Sequence, residues 1–217
     1  MMTFSAQNPH AGQPVLQAGG PLEQAQAAML LIHGRGAAAD DILTLAEEFN
    51  QPGFVYLAPQ AAGNTWYPQR FMEPIVTNEP WLSSALGIVA GLLMQVQAAG
   101  IAPEQTILLG FSQGACLTLE YAARHARRYG GVVGFSGGLI GPDDTPRDYP
   151  GTLAGTPVFL GCSDRDPHIP AARVLESAEV MRRLGGAVTA RLYPGMGHTV
   201  NAEELDFVRQ MMAAIIK

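Results

Sequence analysis

Thr106-Ile107-Leu108-Leu109-Gly110-Phe111-Ser112-Gln113-Gly114 opens as an uninterrupted apolar run, closes on the spacing G-x-S-x-G and leads straight into a helical pattern. An apolar run of this length, covering residues 106–109, reads as a strand buried on both faces. The periodic segment that follows, residues 113–129, reads as a helix. A turn joining strand to helix this sharply strains the backbone of Ser112, and the glycines on either side leave room for neighbouring chain. The hydroxyl of Ser112 then projects above the sheet. The helix starting at the next residue aims its N–H groups and positive dipole end at any negative charge developing beside that hydroxyl. Ser112 is therefore a candidate nucleophile, and the N–H of Gln113 a candidate oxyanion donor. The competing reading is a tight glycine turn with a helix-capping serine.

Outward from this point, short apolar runs alternate with longer periodic segments. Strands are expected at 15–18, 28–32, 54–58, 106–109, 132–135, 158–160 and 188–192, and helices at 40–49, 81–99, 113–129, 171–184 and 202–216. That alternation predicts an α/β fold with a mostly parallel sheet of about seven strands and helices on both faces. Gly130, after Arg127-Arg128-Tyr129, reads as the glycine that ends the helix 113–129. The segment 141–155, rich in Pro, Gly and Asp, reads as a surface connection inside the domain. Residues 81–99 approach the length of a bilayer span. Leu82, Leu86, Val89, Leu93 and Val96 recur at helical spacing, however, and Ser83, Ser84, Gln95 and Gln97 interrupt the run, so a buried amphipathic helix is expected and no membrane span.

The chain has 217 residues, enough for one compact domain, and 47% are hydrophobic, so a sizeable core needs no disulfide or metal. Residues 1–12 are expected to form a mobile tail and 13–217 a single domain. A net charge of −6 leaves no basic surface for nucleic acid or anionic lipid. Cys116 and Cys162 lie in apolar stretches away from metal-ligand spacing, which points to a reducing, cytoplasmic setting. The segment MMTFSAQNPHAG has neither the basic nor the apolar region of a signal peptide.

A serine needs a base within hydrogen-bond reach and a third group holding that base in the right tautomer. His198 lies in Tyr193-Pro194-Gly195-Met196-Gly197-His198, a loop leaving the last strand. Loops at the carboxyl ends of strands share the edge where open α/β sheets bind ligands. His198 is thus the expected base. His168, which also follows a strand, suits a pocket-lining or surface role; His10 falls in the expected tail and His125 late in a helix, as a cation near its C-terminus. For the acid, Ser163-Asp164-Arg165-Asp166-Pro167 supplies two carboxylates on the same edge. Asp166 is preferred because Pro167 holds it extended; Asp164 reads as a turn residue paired with Arg165. A second oxyanion donor is expected from His33-Gly34-Arg35-Gly36, through the N–H of Arg35, with His33 shaping the loop. Cys116, one helical turn past Ser112, is expected to face helix packing.

Taken together, LLIHGRG (30–36), WYP (66–68), GFSQGA (110–115), SDRDPHIP (163–170) and PGMGH (194–198) resemble the phospholipase/carboxylesterase family of small α/β-hydrolases, bacterial carboxylesterases and acyl-protein thioesterases among them. The likeness covers nearly the whole chain. It implies an α/β-hydrolase fold without a large cap domain, a triad of Ser112, Asp166 and His198, and oxyanion donors at Arg35 and Gln113. Arg35-Gly36-Ala37 stands where the eukaryotic thioesterases usually carry leucine, glycine and aspartate, so the sequence looks more like the bacterial esterases. The family's aromatic segment over the active site corresponds to residues 64–72, which makes Trp66, Phe71 and Met72 candidate acyl-pocket residues, with Ile169 beside them; core packing is the alternative reading for these side chains.

These features point to a serine hydrolase that cleaves small-molecule carboxylic esters of short to medium acyl chain, needs no metal or organic cofactor, and acts as a monomer or homodimer. A thioesterase, a lysophospholipase and a lactone hydrolase are neighbouring readings. A non-catalytic binding protein on the same fold is the distant one.

Overall fold

The computed structural model describes residues 8–216. Seven strands form one sheet: β1 Val15–Gly19, β2 Ala27–Ile32, β3 Phe54–Pro59, β4 Thr106–Phe111, β5 Gly131–Phe135, β6 Pro157–Ser163 and β7 Ala187–Tyr193. Their order is β1-β3-β2-β4-β5-β6-β7, with only β1 antiparallel to its neighbour. Each of the seven expected runs is a strand. The period of two explains how they are covered. In β2, Ala28, Leu30 and Ile32 face one apolar core while Ala27, Met29 and Leu31 face the other.

The helices that cover the sheet are α1 Ala39–Leu43, α2 Leu45–Phe49, α3 Trp81–Ala98, α4 Gln113–Arg124, α5 Ala171–Arg183 and α6 Ala202–Ile215. Side chains of α3, α4 and α5 fill the first core, and those of α1, α2 and α6 the second. Helix α3 is the one described helix long and apolar enough to cross a bilayer. Its stripe of Leu82, Leu86, Val89, Leu93 and Val96 is instead buried against the sheet.

Four expectations need correction. The helix expected at 40–49 is two short helices, parted at Thr44, whose hydroxyl donates to the Asp41 carbonyl at 2.7 Å. The helix expected to reach residue 129 ends at Arg124. His125 leaves helical geometry (φ −120°, ψ 47°), Ala126 bridges to Gly151, and the Tyr129 hydroxyl donates to the His125 carbonyl at 2.8 Å. Gly130 is therefore no helix terminator; it sits where a Cβ would press on Ile215 and the Glu104 carbonyl, at 2.8 and 2.9 Å. His125 is also no helix-end cation, because burial first, then Arg124 and Arg127, lower its pKa.

The expected tail at 1–12 meets the fold earlier than its composition suggests. Residues 1–7 lie outside the described residues, but His10 is fully buried. Its Nδ1 accepts from the Ala62 N–H at 3.1 Å, its Nε2 bonds the Trp66 carbonyl at 2.9 Å, and its ring packs edge-on against Trp81.

Parallel pairing aligns the carboxyl ends of the strands, with Ile32 opposite Gly110, Phe111 opposite Phe135 and Ser163 opposite Tyr193. The chain reverses direction across the sheet at β2, which lies between β3 and β4. Loops after β2 and β4 thus emerge side by side at the switch point where such sheets bind ligands.

Candidate active site

Ser112 occupies φ 55°, ψ −118°, a left-handed conformation that L-residues adopt only under constraint. The constraint is visible on both sides. Its N–H donates to the Phe135 carbonyl at 2.9 Å, and α4 begins at the next residue. A Cβ on Gly110 would collide with the Gly114 carbonyl, and one on Gly114 with the carbonyls of Ile32 and His33. Only glycine at both places lets strand, turn and helix approach this closely. The Ser112 side chain makes no capping bond to α4, so the capping reading fails.

Instead, Ser112 Oγ lies 2.8 Å from His198 Nε2, and His198 Nδ1 lies 2.7 Å from Asp166 Oδ2. An ionised Asp166 can only accept, which assigns the ring proton to Nδ1 and leaves Nε2 free to accept from the serine. Asp166 Oδ1 receives the N–H groups of His168 and Ile169 at 2.8 and 3.0 Å. Burial works to raise this carboxyl, but the hydrogen bond from His198 and these two N–H groups outweigh it, and its pKa lies below the ordinary value.

The two loops that carry acid and base are laced together. Asp164 Oδ1 accepts from the Gly195 N–H at 2.8 Å, and Ser163 Oγ from that of Gly197 at 3.2 Å. Asp164 therefore pins the histidine loop, where the sequence suggested a turn residue paired with Arg165. The His198 ring rests on Phe111, with centroids 5.0 Å apart, and His168 meets it edge-on at 4.8 Å. His33, fully buried, bonds the Gly34 carbonyl through Nδ1 and accepts from the Ala61 N–H through Nε2, which fixes the loop after β2.

The N–H groups of Arg35 and Gln113 find no acceptor among the described residues. Their side chains converge elsewhere. The Arg35 guanidinium donates to the carbonyls of Tyr67 and Pro68 at 2.9 and 2.8 Å, and also to that of Gln69. The Gln113 carboxamide donates to the same Tyr67 carbonyl at 2.8 Å and accepts from the Trp66 N–H at 2.9 Å. Arg35 is thus a clamp on the segment 67–69 and not a free surface cation.

A cavity of about 320 Å³ opens beside Ser112, with Phe71 and Ile169 in its wall together with Tyr67, Phe111, Arg70 and His168. Two of the four pocket candidates therefore line it. Trp66 does not: it is fully buried, its indole N–H donates to the His33 carbonyl at 2.8 Å, and it supports the loop from behind. Met72 packs, half-buried, against the first core. Cys116 lines the cavity floor as well as the helix interface. Burial, only partly offset by the Gly138 N–H, pushes its thiol up to about 12, so it stays protonated. Tyr67 and Arg70 carry no periodicity or spacing that would have marked them.

The fold and this arrangement define an α/β-hydrolase with a serine, a histidine and an aspartate in hydrogen-bonded series. A sequence profile described as phospholipase/carboxylesterase matches residues 17–216, and the chain belongs to that family. Among solved structures it is similar to a phospholipase/carboxylesterase from Dyadobacter fermentans, with 40% identity, a TM-score of 0.89 and coverage of 100% of this chain and 99% of that one. A carboxylesterase from Bacillus cereus shares the fold at 18% identity, with a TM-score of 0.74 and coverage of 95% and 96%. Among curated proteins, acyl-protein thioesterase 1 of Gibberella zeae is 35% identical over 130 residues, 56% of this chain and 52% of that protein. Acyl-protein thioesterase 1 of Kluyveromyces lactis is 29% identical over 139 residues, 63% of this chain and 61% of that protein. The aligned stretches span only about half to three-fifths of these curated relatives.

Proposed function

We propose that this protein hydrolyses carboxylic esters through an acyl-enzyme on Ser112, with His198 as base, Asp166 as its orienting acid, and the N–H groups of Arg35 and Gln113 as the oxyanion hole. The observation that carries the reading is the pair of contacts at 2.8 and 2.7 Å linking Ser112 Oγ, His198 and Asp166 Oδ2. The Ser112 proton passes to His198 Nε2 as Oγ attacks the ester carbonyl. The carbonyl oxygen takes the negative charge between the two N–H donors, where such stabilisation is usually the largest catalytic contribution. The proton on Nε2 then goes to the departing alkoxide. Water, losing its own proton to the same nitrogen, cleaves the acyl-enzyme and releases the carboxylic acid and Ser112.

A cavity of about 320 Å³ lined by Phe71 and Ile169 suits acyl chains of short to medium length. Residues 13–217 would act as one catalytic domain, and two buried free thiols favour a cytoplasmic setting. The thioesterase names among the relatives favour thioesters as a second substrate class. Hydrolysis rates on matched butanoyl esters, thioesters and lactones, in the parent and in Ser112→Ala, test the reading. Ester turnover that disappears in Ser112→Ala supports it; undiminished turnover in that variant refutes it.

A further inference from the structure

Arg70 stands at the cavity wall with its side chain exposed and, among the described residues, with no carboxylate in ion-pair range and no hydrogen-bond acceptor. Six of the twelve arginines make an ion pair among the described residues and Arg70 is not one of them; it is the arginine of the cavity wall whose guanidinium bonds nothing there. Arg124, Arg147 and Arg173 are each paired with a carboxylate. The cavity wall contains no aspartate or glutamate at all. Its other arginine, Arg35, already spends its guanidinium on the carbonyls of residues 67–69.

The backbone under Arg70 is fixed from two directions. Asn78, fully buried, accepts the Gln69 N–H through Oδ1 at 2.8 Å and donates through Nδ2 to the Arg70 carbonyl at 3.3 Å. The Arg35 clamp holds the residues just before. The cation is therefore presented from a rigid ledge, next to the apolar ring of Phe71, with less ordering cost on binding than a cation on a loose loop would incur.

A guanidinium without an internal partner, in a wall without carboxylates, is complementary to an anion, and its planar fork matches a carboxylate or phosphate. We propose that Arg70 is a specificity residue and that the substrates are esters carrying an anionic group remote from the scissile carbonyl, with the apolar spacer against Phe71 and Ile169. This deepens the esterase reading above and rests on it.

The test compares kcat/KM for ethyl hydrogen succinate with that for ethyl butanoate, an uncharged ester of similar length, in the parent, Arg70→Gln and Arg70→Glu. A third substrate, ethyl 3-phosphonopropanoate, carries a phosphonate in place of the carboxylate on the same acyl chain and so separates a phosphate-like anion from a carboxylate as the preferred group. Because both members of a ratio are cleaved by the same folded fraction, the ratio is insensitive to partial unfolding of a variant. The parent should favour the better of the two anionic esters by about tenfold at low salt, and the preference should shrink as salt screens the exposed pair. Arg70→Gln should bring the ratio to about one and Arg70→Glu below it. Ratios that are the same in all three proteins, with ethyl butanoate cleaved, overturn the role of Arg70 and leave the esterase reading standing. A parent that cleaves none of the three esters overturns both.

Discussion

The guanidinium of Arg35 and the carboxamide of Gln113 donate to one acceptor, the carbonyl oxygen of Tyr67, at 2.9 and 2.8 Å. The backbone N–H groups of these same two residues have no acceptor among the described residues. One carbonyl on the segment 65–69 therefore ties together the loops after β2 and β4, which carry the two proposed oxyanion donors.

Arg35→Lys should weaken that tie without removing the amide, since one ammonium cannot span three carbonyls as the fork does. We expect kcat for a neutral ester to fall by about 10- to 100-fold, short of the loss of a whole oxyanion donor, with KM changed little. Steady-state kinetics of Arg35→Lys and Gln113→Ala check this. A rise in KM with kcat intact would mean the clamp shapes binding only.

Asp166→Asn should reduce kcat by about 10⁴-fold, as in triads whose orienting acid is replaced, because the imidazole loses its fixed tautomer. Asp164→Asn should cost no more than about tenfold, since its carboxylate holds the Gly195 N–H and not the ring. The reverse ranking in a p-nitrophenyl acetate assay would reassign the acid.

Glu204 predicts a pH-dependent stability. Its Oε2 accepts the Asn201 N–H at 2.8 Å in a reciprocal cap of α6, while Oε1 is buried without a partner. Burial pushes the carboxyl up to about 7, against the pull of the Asn201 N–H. Between its ordinary value of 4.5 and about 7 the folded chain keeps a proton that the unfolded chain has released. Stability therefore falls with rising pH across that window, by up to roughly 1.4 kcal/mol per pH unit. Glu204→Gln keeps the cap and loses the slope. Urea midpoints should differ least near pH 4 and most above pH 7, the variant being the more resistant there; parallel pH curves for the two proteins would contradict this.

Cys116 and Cys162 should both resist iodoacetamide in the native protein. Burial raises each thiol to about 12, and Asp166 adds to the rise at Cys162. Mass spectrometry should find no alkylation and unchanged esterase activity natively, and two alkylated sites in urea. Native alkylation of Cys116 with loss of activity would bring the thiol into the chemistry.

The sheet was legible because buried strands leave short apolar runs that need no knowledge of their partners, as at residues 106–109. Helix ends were harder. The helix after Ser112 stops at Arg124 because Ala126 bridges to Gly151 and Tyr129 reaches back to His125, contacts made across the fold. The three candidate residues of the proposed triad were legible as members of three loops at one sheet edge, and Asp166 Oδ2 lies 2.7 Å from His198 Nδ1. Pocket residues were half legible. Trp66 and Phe71 look alike in sequence, yet one turns inward to the His33 carbonyl and the other lines the cavity. His10 shows the same limit at the N-terminus, where only the positions of Trp66, Trp81 and Ala62 explain its burial.

The account depends on Ser112 being an activated nucleophile, and reaction with a fluorophosphonate probe followed by peptide mapping tests that directly. We predict one label per chain, located on Ser112, absent from Ser112→Ala and strongly slowed in His198→Ala. Labelling that persists undiminished in Ser112→Ala, or a parent protein that takes up no label, would contradict it.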